Sequence, residues 1–195
     1  GKSAQTYTSG ITGFTGAGIR VQACTFCIVE ENEVSNIRGG RGGSATHGGK
    51  GGAGIGILVD QGTTSTVSGN EVWNIYGGDG GGHTDYQSKG VRGDAAGIQL
   101  IAGLAGAQVE HNVIHRVGLI PPEPVDSKAG QSGAVRVAGN SAGVEIRNMS
   151  AYKVGETDTL GHGLWLASGQ TSVVHIYSSI ISDVTGSAIW SNPEN

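Results

Sequence analysis

A nine-residue pattern, apolar-x-x-(Asn or small)-x-apolar-x-x-apolar, recurs at residues 29–37, 67–75, 109–117, 146–154 and 176–184. Each copy trails a Gly/Ala-apolar-x-apolar tetrapeptide by a nearly constant offset. The tetrapeptides are Gly18-Ile19-Arg20-Val21, Gly54-Ile55-Gly56-Ile57, Gly97-Ile98-Gln99-Leu100, Ala134-Val135-Arg136-Val137 and Gly163-Leu164-Trp165-Leu166, and a sixth begins at Ala188-Ile189-Trp190. A unit this short cannot bury its apolar face alone, so copies must stack on one another as a solenoid.

The tetrapeptides place apolar residues two apart, the period of a strand with one buried face. The nine-residue motif breaks that phase, which predicts two short strands joined by a bend at its fourth position. Asn32, Asn70 and Asn112 stand there in the first three copies, and Asn tolerates the left-handed backbone conformation and bonds locally. Each repeat therefore reads as three short strands, two tight bends and one longer connection, with the asparagines stacked as a hydrogen-bonded ladder. Val and Ile together number 34 against 7 Leu, so strand formers dominate and few helices are expected.

Three strands per coil, each stacked on its equivalent in the next, make a parallel β-helix. The chain resembles the right-handed parallel β-helix superfamily, the pectate-lyase-like fold with PbH1-type repeats. That resemblance implies one all-β solenoid domain over residues 1–195, whole or a segment of a longer β-helix, with Asn-containing bends and Gly-rich insertions at one corner. About five full coils and two partial ones, at roughly 4.8 Å each, give a stack about 30 Å tall. Relatives commonly cap the first coil with an amphipathic helix, but residues 1–17 carry no such pattern, and Asn192-Pro193-Glu194-Asn195 is too brief to cover a coil. Open coil ends are unpaired strand edges, so an excised segment, a partner-capped domain or a subunit assembling end to end as a homo-oligomer is expected.

The net charge is -4, which supplies no basic footprint for nucleic acid. No apolar run approaches the roughly 18 residues of a spanning helix, and Gly1-Lys2-Ser3-Ala4-Gln5 is no signal-peptide core. Cys24 and Cys27 are spaced C-x-x-C, but their surroundings read as a turn between strands. A local disulfide or two packed thiols is favoured over a redox pair or a zinc site.

All extra length falls between a nine-residue motif and the next tetrapeptide, so every insertion emerges at one corner. The first contains Gly39-Gly40-Arg41-Gly42-Gly43, the second Gly77-Gly78-Asp79-Gly80-Gly81-Gly82-His83, the third Pro121-Pro122-Glu123-Pro124, and the fourth covers residues 155–162. Long loops on a rigid scaffold are where function usually sits. Glycine-rich ones also serve as flexible spacers, or as extended segments packed where only Gly fits, and those two readings are favoured over a ligand site. The tetrapeptides' middle residues form an outward row of Arg20, Gly56, Gln99, Arg136, Trp165 and Trp190. In the resembled lyases and hydrolases a polysaccharide cleft runs over this strand, which implies carbohydrate binding by Arg20, Gln99, Arg136, Trp165 and Trp190. The alternative is that the two Trp merely pack beneath a loop or a neighbouring subunit.

Leu160-Gly161-His162-Gly163-Leu164 resembles the Gly-His-Gly segment of polygalacturonase-type hydrolases. Those enzymes also need aspartates from the two preceding coils; Gln131-Ser132-Gly133-Ala134-Val135 carries no acid, and only Asp94 precedes the earlier copy. A lyase needs a calcium-binding acidic cluster and a basic residue to take a proton; Asp79, Asp85 and Asp94 with Lys89 and Arg92 are candidates for that set. His47, His83, His111 and His115 read as polar surface, and Asn148-Met149-Ser150 is a glycosylation acceptor triplet. The expected function is a structural or adhesive module of the cell surface or extracellular space, needing no cofactor. The alternative is a polysaccharide lyase or glycoside hydrolase, with calcium in the lyase case.

Overall fold

The structure is a computed structural model, and it describes residues 9–45, 47–82, 90–101, 105–118, 130–139, 141–155, 160–167 and 173–191. Strands follow one another in triplets along the chain. The first is β1 (Gly16–Gln22), β2 (Ile28–Glu30) and β3 (Glu33–Arg38), and the second is β4 (Gly54–Asp60), β5 (Thr66–Ser68) and β6 (Glu71–Tyr76). Next come β7 (Ala95–Ile101), β8 (Gln108–Glu110) and β9 (Val113–Val117), then β10 (Ser132–Ala138), β11 (Val144–Arg147) and β12 (Ser150–Val154). The series closes with β13 (Gly161–Leu166), β14 (Val174–Tyr177), β15 (Ile180–Val184) and a lone β16 (Ile189–Ser191). No helix occurs among the described residues, so none is long and apolar enough to cross a membrane.

Every third strand pairs in parallel with its equivalent one triplet on. The first sheet runs β1-β4-β7-β10-β13-β16, the second β2-β5-β8-β11-β14 and the third β3-β6-β9-β12-β15. This all-β stack of three parallel sheets is consistent with a parallel β-helix. We call one triplet a tier. The sheets enclose a column of Val, Ile, Leu and Ala in which Ile57, Val72, Ile98, Ile114, Val135 and Ile146 are fully buried.

Equivalent residues stack, and the asparagines show the consequence. Asn32 Nδ2 donates to Asn70 Oδ1 at 2.9 Å, and Asn70 Nδ2 donates to Asn112 Oδ1 at 3.0 Å. The same amides also donate to backbone carbonyls of the neighbouring bend, Asn70 to Val29 at 2.9 Å and Asn112 to Val67 at 2.8 Å. The ladder is therefore a set of satisfied buried polar groups that pins tier register. It ends where Met149 and Ser179 take over the column, with Ser179 Oγ accepting the Met149 amide at 3.3 Å.

The left-handed residue of this bend is not the asparagine. It is the residue before: Glu31, Gly69, His111, Asn148 and Ser178, with φ between 45° and 64°. The asparagine is instead turned inward by that kink, where its amide reaches the tiers on either side. A second left-handed column, unforeseen from the sequence, runs through Asn36, Asn74, Arg116, Lys153 and Asp183 at φ of 51° to 59°. It lets the two apolar residues flanking it, such as Val34 and Ile37, both face the core.

The second tetrapeptide also needs correction. Ile19 pairs with Ile57, Arg20 with Leu58 and Val21 with Val59, so the copy is Gly56-Ile57-Leu58-Val59 rather than the one starting at Gly54. This phase puts Ile57 and Val59 in the core. It also sets Gly56 in a column with Gly18, Gly97 and Gly163, where a Cβ would overlap Val72, Val34, Ile114 and Ile181 side chains respectively. Cys24 and Cys27 form a disulfide across the bend between β1 and β2, with Cα atoms 5.9 Å apart.

Removing a rung of the ladder strands buried donors and acceptors, each worth about 1–3 kcal/mol. Asn70→Ala is expected to lower the unfolding free energy by about 3 kcal/mol, and Asn32→Ala, at the more exposed end, by about 1 kcal/mol. Urea titrations followed by circular dichroism check both values.

Candidate functional site

Glycines in the first two insertions fall on a three-residue period: Gly39 and Gly42, Gly48, Gly51 and Gly54, Gly77 and Gly80, Gly90 and Gly93, with Gly10 and Gly13 ahead of β1 and Gly16 opening it. Three residues per turn is the period of an extended helix without internal hydrogen bonds, which leaves its amides free for neighbours. The structure uses those amides between segments. Outgoing segments leave β3 and β6, and returning segments enter β4 and β7.

Within the outgoing layer Gly39 donates to the Tyr76 carbonyl at 3.0 Å and Gly42 to that of Asp79 at 2.8 Å. Within the returning layer Gly13 donates to Lys50, Gly16 to Ala53, Gly51 to Val91 and Gly54 to Asp94, at 2.8 to 3.0 Å. Between layers the zigzag runs from Gly40 to Phe14, Gly52 to Gly40, Gly78 to Gly52 and Gly93 to Gly78, at 2.7 to 2.8 Å. None of these glycines has a positive φ. Glycine is required here by proximity: a Cβ on Gly52 would overlap the Phe14 carbonyl oxygen, and one on Gly78 the Gly40 oxygen. Of the two readings favoured from sequence, the arms are packed segments rather than spacers.

Side chains between the glycines carry the charges. Asp79 meets Arg38 at 2.6 Å and Arg92 at 3.7 Å. Asp94 meets Lys50 at 3.4 Å and Arg136 at 3.8 Å, and accepts the Gln131 amide at 3.2 Å. The two carboxylates thus belong to separate ion-pair groups. Asp85 and Lys89 lie outside the described residues, as do His83 and residues 121–124. Among the described residues no group of three or more His, Cys, Asp or Glu is placed to hold a metal ion.

The outward row of the first sheet is Arg20, Leu58, Gln99, Arg136, Trp165 and Trp190, one per strand. Leu58 takes the place assigned to Gly56. Arg20 is exposed and pairs with Asp60 at 3.5 Å. Leu58 and Gln99 are each 5% exposed and Trp165 only 4%, so of the two alternatives read from the sequence Trp165 is packed rather than part of an open platform. Gly133 leaves room for that indole, since a Cβ there would lie 3.2 Å from the Trp165 Cβ. Arg136 stacks on its ring, with Cζ 4.0 Å from the centroid. Trp190 meets Trp165 edge-on at 6.0 Å and lies parallel to His162 at 5.0 Å.

His162 shares this face because it pairs with Gly133 in the column beside the row. It is 2% exposed. Its Nδ1 accepts the Ser187 amide at 3.2 Å, so in the neutral ring the proton sits on Nε2. Burial lowers its pKa from the ordinary value. Arg136 is lowered by burial too, opposed by Asp94, and stays a cation.

A third group escaped the sequence reading. Trp73, His115 and Tyr152 stack as parallel rings on the third sheet, with centroids 6.0 and 4.8 Å apart and planes within 4°. His115 Nε2 also lies 3.4 Å from Glu71 Oε1. The signal was available: all three occupy the seventh position of the nine-residue motif. Comparison with known proteins finds no matching family model, curated protein or solved structure.

Two outcomes are expected. Arg41 and Lys50 lie exposed in the arms, yet trypsin should cut there slowly because the backbone is held. Gly52→Ala should speed that cleavage and cost about 1–3 kcal/mol of stability, whereas Gly82→Ala, whose nearest neighbour is the Ser44 hydroxyl at 3.4 Å, should change neither. Timed digestion followed by mass spectrometry reads both. For His162 the folded pKa is below the unfolded value of about 6.5, so the unfolded state binds the extra proton. Its contribution to stability is present above about pH 6.5 and lost as pH falls through the folded pKa. Urea titrations from pH 8 to 4.5 should show a shallower acid decline for His162→Gln than for wild type.

Proposed function

We propose that the chain is a structural or adhesive module of the cell surface or extracellular space, built as a right-handed parallel β-helix of the pectate-lyase-like type with about five full coils. Right-handedness follows from the strong preference of parallel crossover connections. The observation that carries the reading is the use made of the insertions. In a polysaccharide-cleaving relative they would wall a cleft with side chains, whereas here the backbones of the first two pack on one another through glycine and stiffen one corner of the solenoid.

The carboxylates support the same conclusion. A calcium site needs several free carboxylate oxygens. Asp79 and Asp94 each face two cations. The Cys24–Cys27 disulfide suits an oxidising compartment.

The test is a screen on acidic and neutral polysaccharides, with and without calcium, following unsaturated products by ultraviolet absorbance and new reducing ends colorimetrically. No turnover above the blank is expected. Turnover abolished by Asp94→Asn would overturn the proposal in favour of a lyase or hydrolase working on the first sheet's outer face.

A further inference from the structure

We infer that His162 is an acid-released latch: its neutral ring holds residues 185–191 against β13, and protonation frees that segment from the face of Trp165. Trp165 is covered by Arg136 from β10 and by Trp190 from β16. The chain leading into β16 is exposed at every residue from Thr185 to Ile189, so few contacts keep it docked. His162 supplies two of them. Its Nδ1 accepts the Ser187 amide at 3.2 Å, and its ring lies parallel to Trp190 with centroids 5.0 Å apart. The approach is close enough that a Cβ on Gly186 would lie 2.9 Å from the ring's Cε1 and Nδ1. Other ties are backbone bonds, from Gly186 to the Gly161 carbonyl at 2.8 Å and from Gly163 and Leu164 to the carbonyls of Ser187 and Ala188 at 3.1 and 2.8 Å.

A proton on Nδ1 is incompatible with this arrangement. The Ser187 N–H can only donate, so it bonds Nδ1 only while that nitrogen keeps its lone pair. The imidazolium carries hydrogens on both nitrogens and would set two donors facing each other across the same 3.2 Å. The residue is also only 2% exposed, so a charge on its ring gives up hydration. Stacking on Trp190 favours the cation, but that contact is weaker than the hydration a buried ion loses.

Charged neighbours do not reverse the balance. Arg136 from β10 is a cation, and Asp94 from the second insertion is engaged by Lys50 and Arg136. Residues 185–191, Thr-Gly-Ser-Ala-Ile-Trp-Ser, bring no ionisable side chain. The docked segment therefore requires the neutral ring, whose pKa burial lowers, and the released segment returns His162 toward the free value of about 6.5. Docking is favoured above about pH 6.5 and lost as pH falls through the lowered docked-state pKa. The scaffold reading needs no such movement.

Amide hydrogen exchange followed by NMR reads the latch, with each rate divided by that of an unstructured peptide at the same pH. Between pH 8 and 5 the protection of Gly163, Leu164, Gly186 and Ser187 should fall about ten-fold or more, while Ile98 and Leu100 in β7 keep theirs. His162→Gln does not titrate in this range and should hold those four amides at constant protection. His175→Gln, on the second sheet, should leave the wild-type fall intact. In the wild-type chain at pH 8, ¹⁵N shifts of the His162 ring should show a bare Nδ1 and a hydrogen on Nε2. A fall that persists in His162→Gln or vanishes in His175→Gln, unchanged wild-type protection, loss in step with β7, or a hydrogen on Nδ1 at pH 8 overturns the inference. None of these results touches the absence of turnover on which the scaffold reading rests.

Discussion

Backbone hydrogen bonding from each tier to the next, held in constant register, is the constraint on which the rest of this structure depends. A parallel ladder stacks like on like. The core column, the asparagine ladder and the rings at Trp73, His115 and Tyr152 all exist because one register runs through three sheets. A one-residue slip would turn every inward side chain out. The buried asparagines guard against that slip, since their amides find partners only when Asn32, Asn70 and Asn112 are level.

The arms extend the same principle beyond the sheets. Where the strands stop, amide-to-carbonyl pairing between tiers continues through Gly39, Gly42, Gly51 and Gly54, and a second layer folds back on the first. Six other described glycines, Gly69, Gly106, Gly118, Gly139, Gly143 and Gly155, serve for left-handed backbone. Those of the arms, Gly82 apart, serve for closeness. This arrangement also settles where charge can stand, because only residues between glycines carry side chains. Asp79 and Asp94 sit there, answered by Arg38, Lys50 and Arg136 from elsewhere in the stack and by Arg92 from the same insertion as Asp79.

Much of this was legible in the sequence. The repeat gave the strands, their inward faces and the asparagine ladder, because stacking makes spacing equivalent to position. It misled at Gly54-Ile55-Gly56-Ile57, where two phases fit equally well and only the burial of Val59 decides. It placed the left-handed residue one position late, since Asn favours that conformation more than Glu31 or His111 does. Whether Trp165 is open or covered stayed undecided, because alternation tells which face a residue takes and nothing about what covers it. Composition left two readings of the arms open, flexible spacer or packed segment, although their three-residue glycine period, repeated in successive tiers, already contained the packing.

Amide hydrogen exchange on the arm glycines tests the central claim most directly. If backbone pairing between tiers runs unbroken through the arms, the amides of Gly49, Gly51, Gly52, Gly78 and Gly93 will exchange as slowly as those of β4 and β7 and gain protection with the same global unfolding step. Exchange of those five amides at the rate of an unstructured peptide, with β4 and β7 still protected, would contradict it.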